Sequence, residues 1–178
     1  MVFNPEIHHR RSVRLRDYDY SCAGAYFVTI CAYERECLFG DVVDGEVQLT
    51  PVGEIVRDEW MMTGKLRDCV VLDEFIVMPN HFHAVLMIDH VGAIRRIAPT
   101  AGPASGSLGA IIGQFKSAAT KRINQFRDNP GGPVWQRNYY ERVIRADREL
   151  EGIRRYIAAN PAKWEEDENH PTRQRTGA

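Results

Sequence analysis

The sequence lacks a Cys-X-X-Cys pair, and its four cysteines, Cys22, Cys31, Cys37 and Cys69, have no spacing typical of zinc ligands. Reduced thiols, some of them buried, are therefore expected. No apolar stretch approaches the length of a membrane span, and Met1 to Arg16 lacks the apolar core of a signal peptide. A cytoplasmic protein with no membrane partner is the resulting expectation. There is also no excess of one charge: 23 basic and 24 acidic residues leave a net −1, which gives no global sign of a polyanionic ligand. The distribution is nonetheless uneven. Residues 34–74 carry 11 acidic and 4 basic side chains, whereas residues 89–147 carry 9 basic and 4 acidic ones. Such an asymmetry permits a polyanion to bind the second half without requiring it.

What is present is enough for one domain with a substantial core: 178 residues, 44% apolar and 26% charged. The run Phe75 to Ile88 organises it. Two β-rich stretches, Val70 to Met78 and His81 to Ile88, flank Pro79-Asn80, a pair suited to a tight turn because proline presets φ and asparagine tolerates the left-handed region. The spacing predicts a buried hairpin. In its second arm His81 and His83 leave the same face, since successive strand side chains alternate, and Phe82 points the other way into a core. Two imidazoles fixed on one face are a starting point for a divalent metal site. The alternative is two polar residues at the mouth of a hairpin, but the strand continues as the wholly apolar Ala84 to Ile88, so packing alone does not account for them.

Around that hairpin the chain punctuates clearly. Arg10, Arg11, Arg14 and Arg16 make a basic arm within residues 1–19, and Tyr26 to Tyr33 reads as a strand. Asp44-Gly45 predicts a small hairpin within Leu38 to Leu49. Thr50-Pro51 opens a helix that ends near Gly64. Asp89 to Gly106, rich in Gly, Ala and Pro, predicts a long loop of the lid or disordered kind. Ser107 can cap a helix with an apolar stripe of Leu108, Ile111, Ile112, Phe115, Ala119 and Ile123; Lys116, Lys121 and Arg122 lie off that stripe. Val134 to Arg145 reads as extended, and Asp147 can cap a last helix running to Asn160, stopped by Pro161. The order strand, helix, strand, strand, helix, strand, plus one extra helix, predicts an α+β fold. It is the split βαβ, ferredoxin-like arrangement, an antiparallel sheet with two helices on one face. Residues 165–178 read as a polar tail.

On the last helix Tyr156 and Asn160, four residues apart, share a line along the edge of the stripe Leu150, Ile153 and Ile157. Both can look along the sheet toward the histidines. They can also be a tyrosine with an apolar body and wet hydroxyl, and an asparagine ending a helix before proline.

Four motifs, in order, carry a resemblance: Met78-Pro-Asn-His-Phe-His83, Gly113-Gln-Phe-Lys-Ser117, Trp135 to Arg145, and Arg155-Tyr-Ile-Ala-Ala-Asn-Pro161. Over roughly residues 20–164 the chain resembles the single-tyrosine HUH transposases, and most nearly the REP-associated tyrosine transposases. The resemblance implies an enzyme that cleaves and rejoins single-stranded, hairpin-bearing or palindromic DNA through a 5′-phosphotyrosine. It assigns Tyr156 as nucleophile, His81 and His83 as ligands of Mg²⁺ or Mn²⁺, and Asn160 as third ligand where the insertion-sequence branch has glutamine. Lys116, Lys121, Arg122, Arg154 and Arg155 would supply phosphate contacts, and Tyr139 and Tyr140 could stack on unpaired bases or pack in the core. Members of the wider group can work as homodimers, and composition does not choose between monomer and dimer. Two other classes compete. A histidine-triad nucleotide hydrolase needs a third histidine where Val85 stands, and a non-catalytic single-strand DNA-binding protein could keep the same fold.

Overall fold

The computed structural model describes residues 23–89 and 106–174. The basic arm and almost all of the long loop after Asp89 lie outside these residues.

Strand β1 (Gly24–Cys31) alternates faces along Tyr26-Phe-Val-Thr-Ile: Tyr26, Val28 and Ile30 enter one core, while Phe27 and Thr29 turn to the other side. A small hairpin follows, β2 (Gly40–Val43) and β3 (Glu46–Leu49), whose Asp44 and Gly45 both have positive φ (53° and 77°), as the two-residue turn requires. Helix α1 (Pro51–Lys65) starts where expected, with Thr50 Oγ1 accepting from Gly53 N–H at 3.2 Å. Gly53 is obligatory at that point because a Cβ would stand 1.9 Å from the Phe39 carbonyl oxygen.

The central hairpin is β4 (Val70–Val77) and β5 (His81–Ile88). Asn80 does not use the left-handed region that suggested it as a turn former; its side chain has another task, described below. Helix α2 (Leu108–Phe126) is capped by Ser107 Oγ, which accepts from Ala110 N–H. The extended reading of 134–145 shrinks to β6 (Tyr140–Ile144); Trp135 adds a single bridge to Ala32, and the intervening residues leave the ladder. Helix α3 (Asp147–Ala159) has Ala146, not Asp147, at its cap. No side chain caps it; Glu149 in the first turn instead accepts from Arg145 N–H, one residue ahead of the cap, at 3.1 Å. A 3₁₀ turn (Pro161–Glu166) and a short α4 (Pro171–Gln174) complete the described chain.

The four long strands form one antiparallel sheet in the order β4-β5-β1-β6, the ferredoxin-like order. Helices α1 and α2 pack together on one face over Phe82, Ala84 and Leu86, with Trp60, Phe82 and Phe115 in mutual ring contact at 5.0 to 5.5 Å. The extra helix α3 takes the opposite face, where Ile157, Leu150 and Ile153 meet Phe27, Val85 and Ile144. A bulge between Leu72 and Phe75 in β4 leaves Asp73 where Arg154 of α3 grips it, Nε to Oδ1 at 2.8 Å and Nη2 to Oδ2 at 2.5 Å. That clamp fixes the helix carrying Tyr156 over the histidine face.

Candidate metal centre and nucleophile

Because β5 alternates, His81 and His83 emerge beneath α3 while Phe82 faces α1 and α2, as its parity demands. Their ring centroids are 4.5 Å apart, and both side chains are buried. Each imidazole is oriented through Nδ1. Asn80 donates its Nδ2 protons to the carbonyls of Arg35 (3.0 Å) and Asn169 (2.8 Å), so its Oδ1, 3.0 Å from His81 Nδ1, must accept the proton of that ring nitrogen. The His81 lone pair is thereby left on Nε2. His83 Nδ1 stands 2.8 Å from Thr29 Oγ1, and its Nε2 lies 3.3 Å from the Tyr156 hydroxyl, which can donate to it.

Burial drives the pKa of both histidines down to about 3; the Arg35 charge adds to the effect at His81, and His81 itself adds to it at His83. Both rings are therefore neutral at physiological pH, the state in which imidazole binds a metal. Tyr156, 48% exposed, is pushed up by partial burial and then by the Asp167 carboxylate, while Asn160 pulls the other way. The resting hydroxyl is thus a neutral phenol.

Two buried acceptors at this place lack a hydrogen-bond donor, His81 Nε2 and Asn160 Oδ1. A third acceptor comes from the polar stretch after residue 164: Asp167 Oδ2 is 3.9 Å from His81 Nε2. Ligand atoms of His81, His83 and Asp167 all fall within 4.8 Å of one another. Two imidazole nitrogens, a carboxylate and an amide oxygen, two of them unsatisfied, suit a divalent cation, Mn²⁺ at least as well as Mg²⁺. Around this set Trp164 packs against His81, its ring 5.9 Å away, and Asn169 reaches Asn80 through its carbonyl. Thr29, Asn80, Asp167 and Asn169 were not foreseen. Asn80 was visible only as a turn residue, and nothing in the spacing of 165–178 marked Asp167 as part of a site.

The five basic residues of the sequence reading scatter. Lys116 donates to the carbonyls of Gln136 (2.6 Å) and Arg137 (3.3 Å), and burial lowers its pKa. Lys121 and Arg122 belong to α2, across the sheet from the histidines, and Arg122 is paired with Glu59 at 2.7 Å. Arg154 is committed to Asp73 and Glu151. Only Arg155, exposed and beside Tyr156, is both close in sequence to the nucleophile candidate and outward-facing. Tyr139 and Tyr140 separate as their parity requires: Tyr139 packs against the α1–α2 core and Tyr140 stands on the α3 side.

No family model matches the chain. An uncharacterized protein of Haemophilus influenzae is 37% identical over 174 residues, covering 93% of this chain and 96% of that one. Among solved structures, a REP-associated tyrosine transposase described as bound to a REP hairpin superposes with a TM-score of 0.53, at 18% identity, over 85% of this chain and 73% of that chain. The chain belongs to one family with the Haemophilus protein and has the REP-associated tyrosine transposase fold. A putative transposase from Deinococcus radiodurans gives a TM-score of 0.42 at 19% identity, covering 82% of this chain and 95% of that chain. Within the tyrosine-transposase fold, Val85, the position a histidine triad would need, is a fully buried core residue under α3. Among the described residues no helix is long and apolar enough to cross a membrane.

Proposed function

We propose that the protein is a metal-dependent transposase of the tyrosine HUH kind, cleaving and rejoining single-stranded, hairpin-bearing DNA through a covalent 5′-phosphotyrosine. The observation that carries this reading is the Tyr156 hydroxyl 3.3 Å from His83 Nε2, beside the unsatisfied His81 Nε2 and Asn160 Oδ1. In this reading His81, His83, Asp167 and Asn160 hold the Mg²⁺ or Mn²⁺, with Asp167 added to the ligands that the sequence suggested. A bound divalent ion supplies Lewis acidity toward a phosphate oxygen.

The chain's own residues do the rest. Asn80 and Thr29 fix the two imidazoles through Nδ1 before substrate arrives, so no rotamer freedom is lost at binding. The Asp73–Arg154 clamp holds α3, and with it the phenol, against the histidine face of the sheet, which in this reading receives the scissile phosphate. Tyr156 Oη forms the new bond to phosphorus and gives up its proton to solvent, the bond to the 3′-oxygen breaks, and that oxygen takes a proton from solvent and leaves as a 3′-hydroxyl. The phosphodiester energy stays in the phosphotyrosine, so the reverse attack by a 3′-hydroxyl rejoins the strand without ATP. A hairpin-bearing partner is supported by the REP hairpin described for the transposase of similar fold, and phosphate contacts beside the site fall to Arg155.

The test is a labelled hairpin-bearing single strand incubated with Mn²⁺. Wild type should yield a protein–DNA adduct that survives boiling in detergent, and Tyr156→Phe should bind the strand but yield none. An adduct in the Phe variant would move the nucleophile elsewhere. Binding without any adduct in wild type would favour the non-catalytic DNA-binding protein.

A further inference from the structure

We propose that Tyr140 is the platform on which an unpaired nucleobase next to the scissile phosphate stacks, a role that rests on the reading above.

The placement comes from register. Thr29 of β1 pairs with His83 on one side and with Tyr140 on the other, so His83, Thr29 and Tyr140 form one row across the sheet. Adjacent strands lie about 4.8 Å apart, which sets the Tyr140 backbone on the order of 10 Å from that of His83. The ring turns to the α3 side, where it meets Phe27 edge-on at 6.3 Å. Tyr156 meets the same Phe27 edge-on at 6.1 Å, and His83 stacks on it at 5.4 Å. Phe27 is 8% exposed, whereas Tyr140 and Tyr156 are 41% and 48% exposed. The two tyrosines therefore rise from one buried aromatic base, Tyr156 beside His83 and Tyr140 on the strand beyond β1.

Packing does not account for the outer one. Its neighbour Tyr139 serves the core, and Tyr140 sits on the edge strand β6 with much of its ring in solvent. The next β6 residue on the same face is Arg142, 57% exposed at its side chain although it contacts Glu149 at 2.6 Å. An exposed ring followed two residues later by a guanidinium, leading away from a phosphate-cleaving centre, matches the alternation of base and phosphate in a single strand. A duplex offers no free base face to such a ring, so the same feature selects unpaired DNA beside the cleavage point.

The experiment uses the full chain with Mn²⁺ and a DNA hairpin carrying an unpaired tail of thymidines, in which 2-aminopurine replaces one thymidine at a time. Wild type and Tyr140→Phe should quench the probe at one or two tail positions. Tyr140→Leu, checked for an unchanged melting temperature, should lose that quenching and bind the tailed hairpin about ten-fold or more weakly. It should lose little affinity for the blunt hairpin. The same quenching profile in Tyr140→Leu, or an equal loss for tailed and blunt hairpins, overturns the stacking role while leaving the DNA reading intact. Failure of wild type to bind any of these strands overturns the DNA reading and the stacking role with it.

Discussion

Acidifying the metal-free protein should destabilise it through His81 and His83, because burial holds both neutral in the fold. Both imidazoles have folded pKa values near 3 against an ordinary 6.5. Lowering pH from about 7.5 to about 5 protonates them in the unfolded chain but leaves them neutral in the folded one. A depressed folded pKa means that the stabilisation is fully present above 6.5 and drains as pH falls toward 3. At about pH 5 the unfolded state gains roughly 2 kcal/mol per imidazole, about 4 kcal/mol for the pair. That figure depends on the unfolded value alone so long as the folded values stay well below 5. The charged groups facing the pair are Arg35, which opposes protonation of His81, and Asp167, which favours a proton on His83. Denaturant melts in EDTA at the two pH values, for wild type and the double variant His81→Gln, His83→Gln, isolate the contribution, because other titrating groups cancel in the difference. If wild type and double variant lose the same stability between those pH values, the histidines are not held neutral and the account of the site is wrong.

The other expectations are simpler to read. Isothermal calorimetry should show Mn²⁺ binding to wild type, binding weakened several-fold in Asp167→Asn, and binding lost in His83→Ala; equal affinity in wild type and His83→Ala would remove the metal centre. At 100 times its dissociation constant the ion should add about 2.7 kcal/mol of stability, visible as a raised melting temperature. Phe82→Ala empties the space between Trp60, Phe75 and Phe115 and should cost about 3 to 5 kcal/mol in a denaturant melt, with a value under about 1 kcal/mol contradicting the packing described. In gel-shift titrations a tailed hairpin should bind more tightly than a perfect duplex of equal length, and more weakly as salt rises, since phosphate contacts release counterions. Tyr156→Phe should fold normally, because the residue is half-exposed and its hydroxyl bond to His83 is long, 3.3 Å, so that losing it costs about 1 kcal/mol.

Local chemistry was legible in the sequence wherever one residue's neighbours along the chain decide its state. Thr50-Pro51, Asp44-Gly45 and Ser107 set element boundaries because caps and two-residue turns are satisfied within four residues. The parity of β5 fixed which way His81, Phe82 and His83 face, because strand alternation tolerates no compromise once one side is buried. The helical spacing likewise put Tyr156 and Asn160 on one line of α3.

What the tertiary structure alone decided was which distant groups those residues meet. α3 could lie on either face of the sheet by its own amphipathic pattern; the bulge that presents Asp73 to Arg154 and the apolar patch of Phe27, Val85 and Ile144 give it the histidine face. Arg154 meets a carboxylate partner 81 residues away, Asp73, which nothing in its own stretch of sequence announces. Asp167 and Asn169 carry no periodic or motif signal, since their roles depend on a turn after Pro161 that returns the chain to His81 and Asn80. Asn80 shows the division within a single residue: the turn it occupies follows from its neighbours, whereas its orientation of His81 depends on carbonyls supplied by Arg35 and Asn169, which only folding brings within reach.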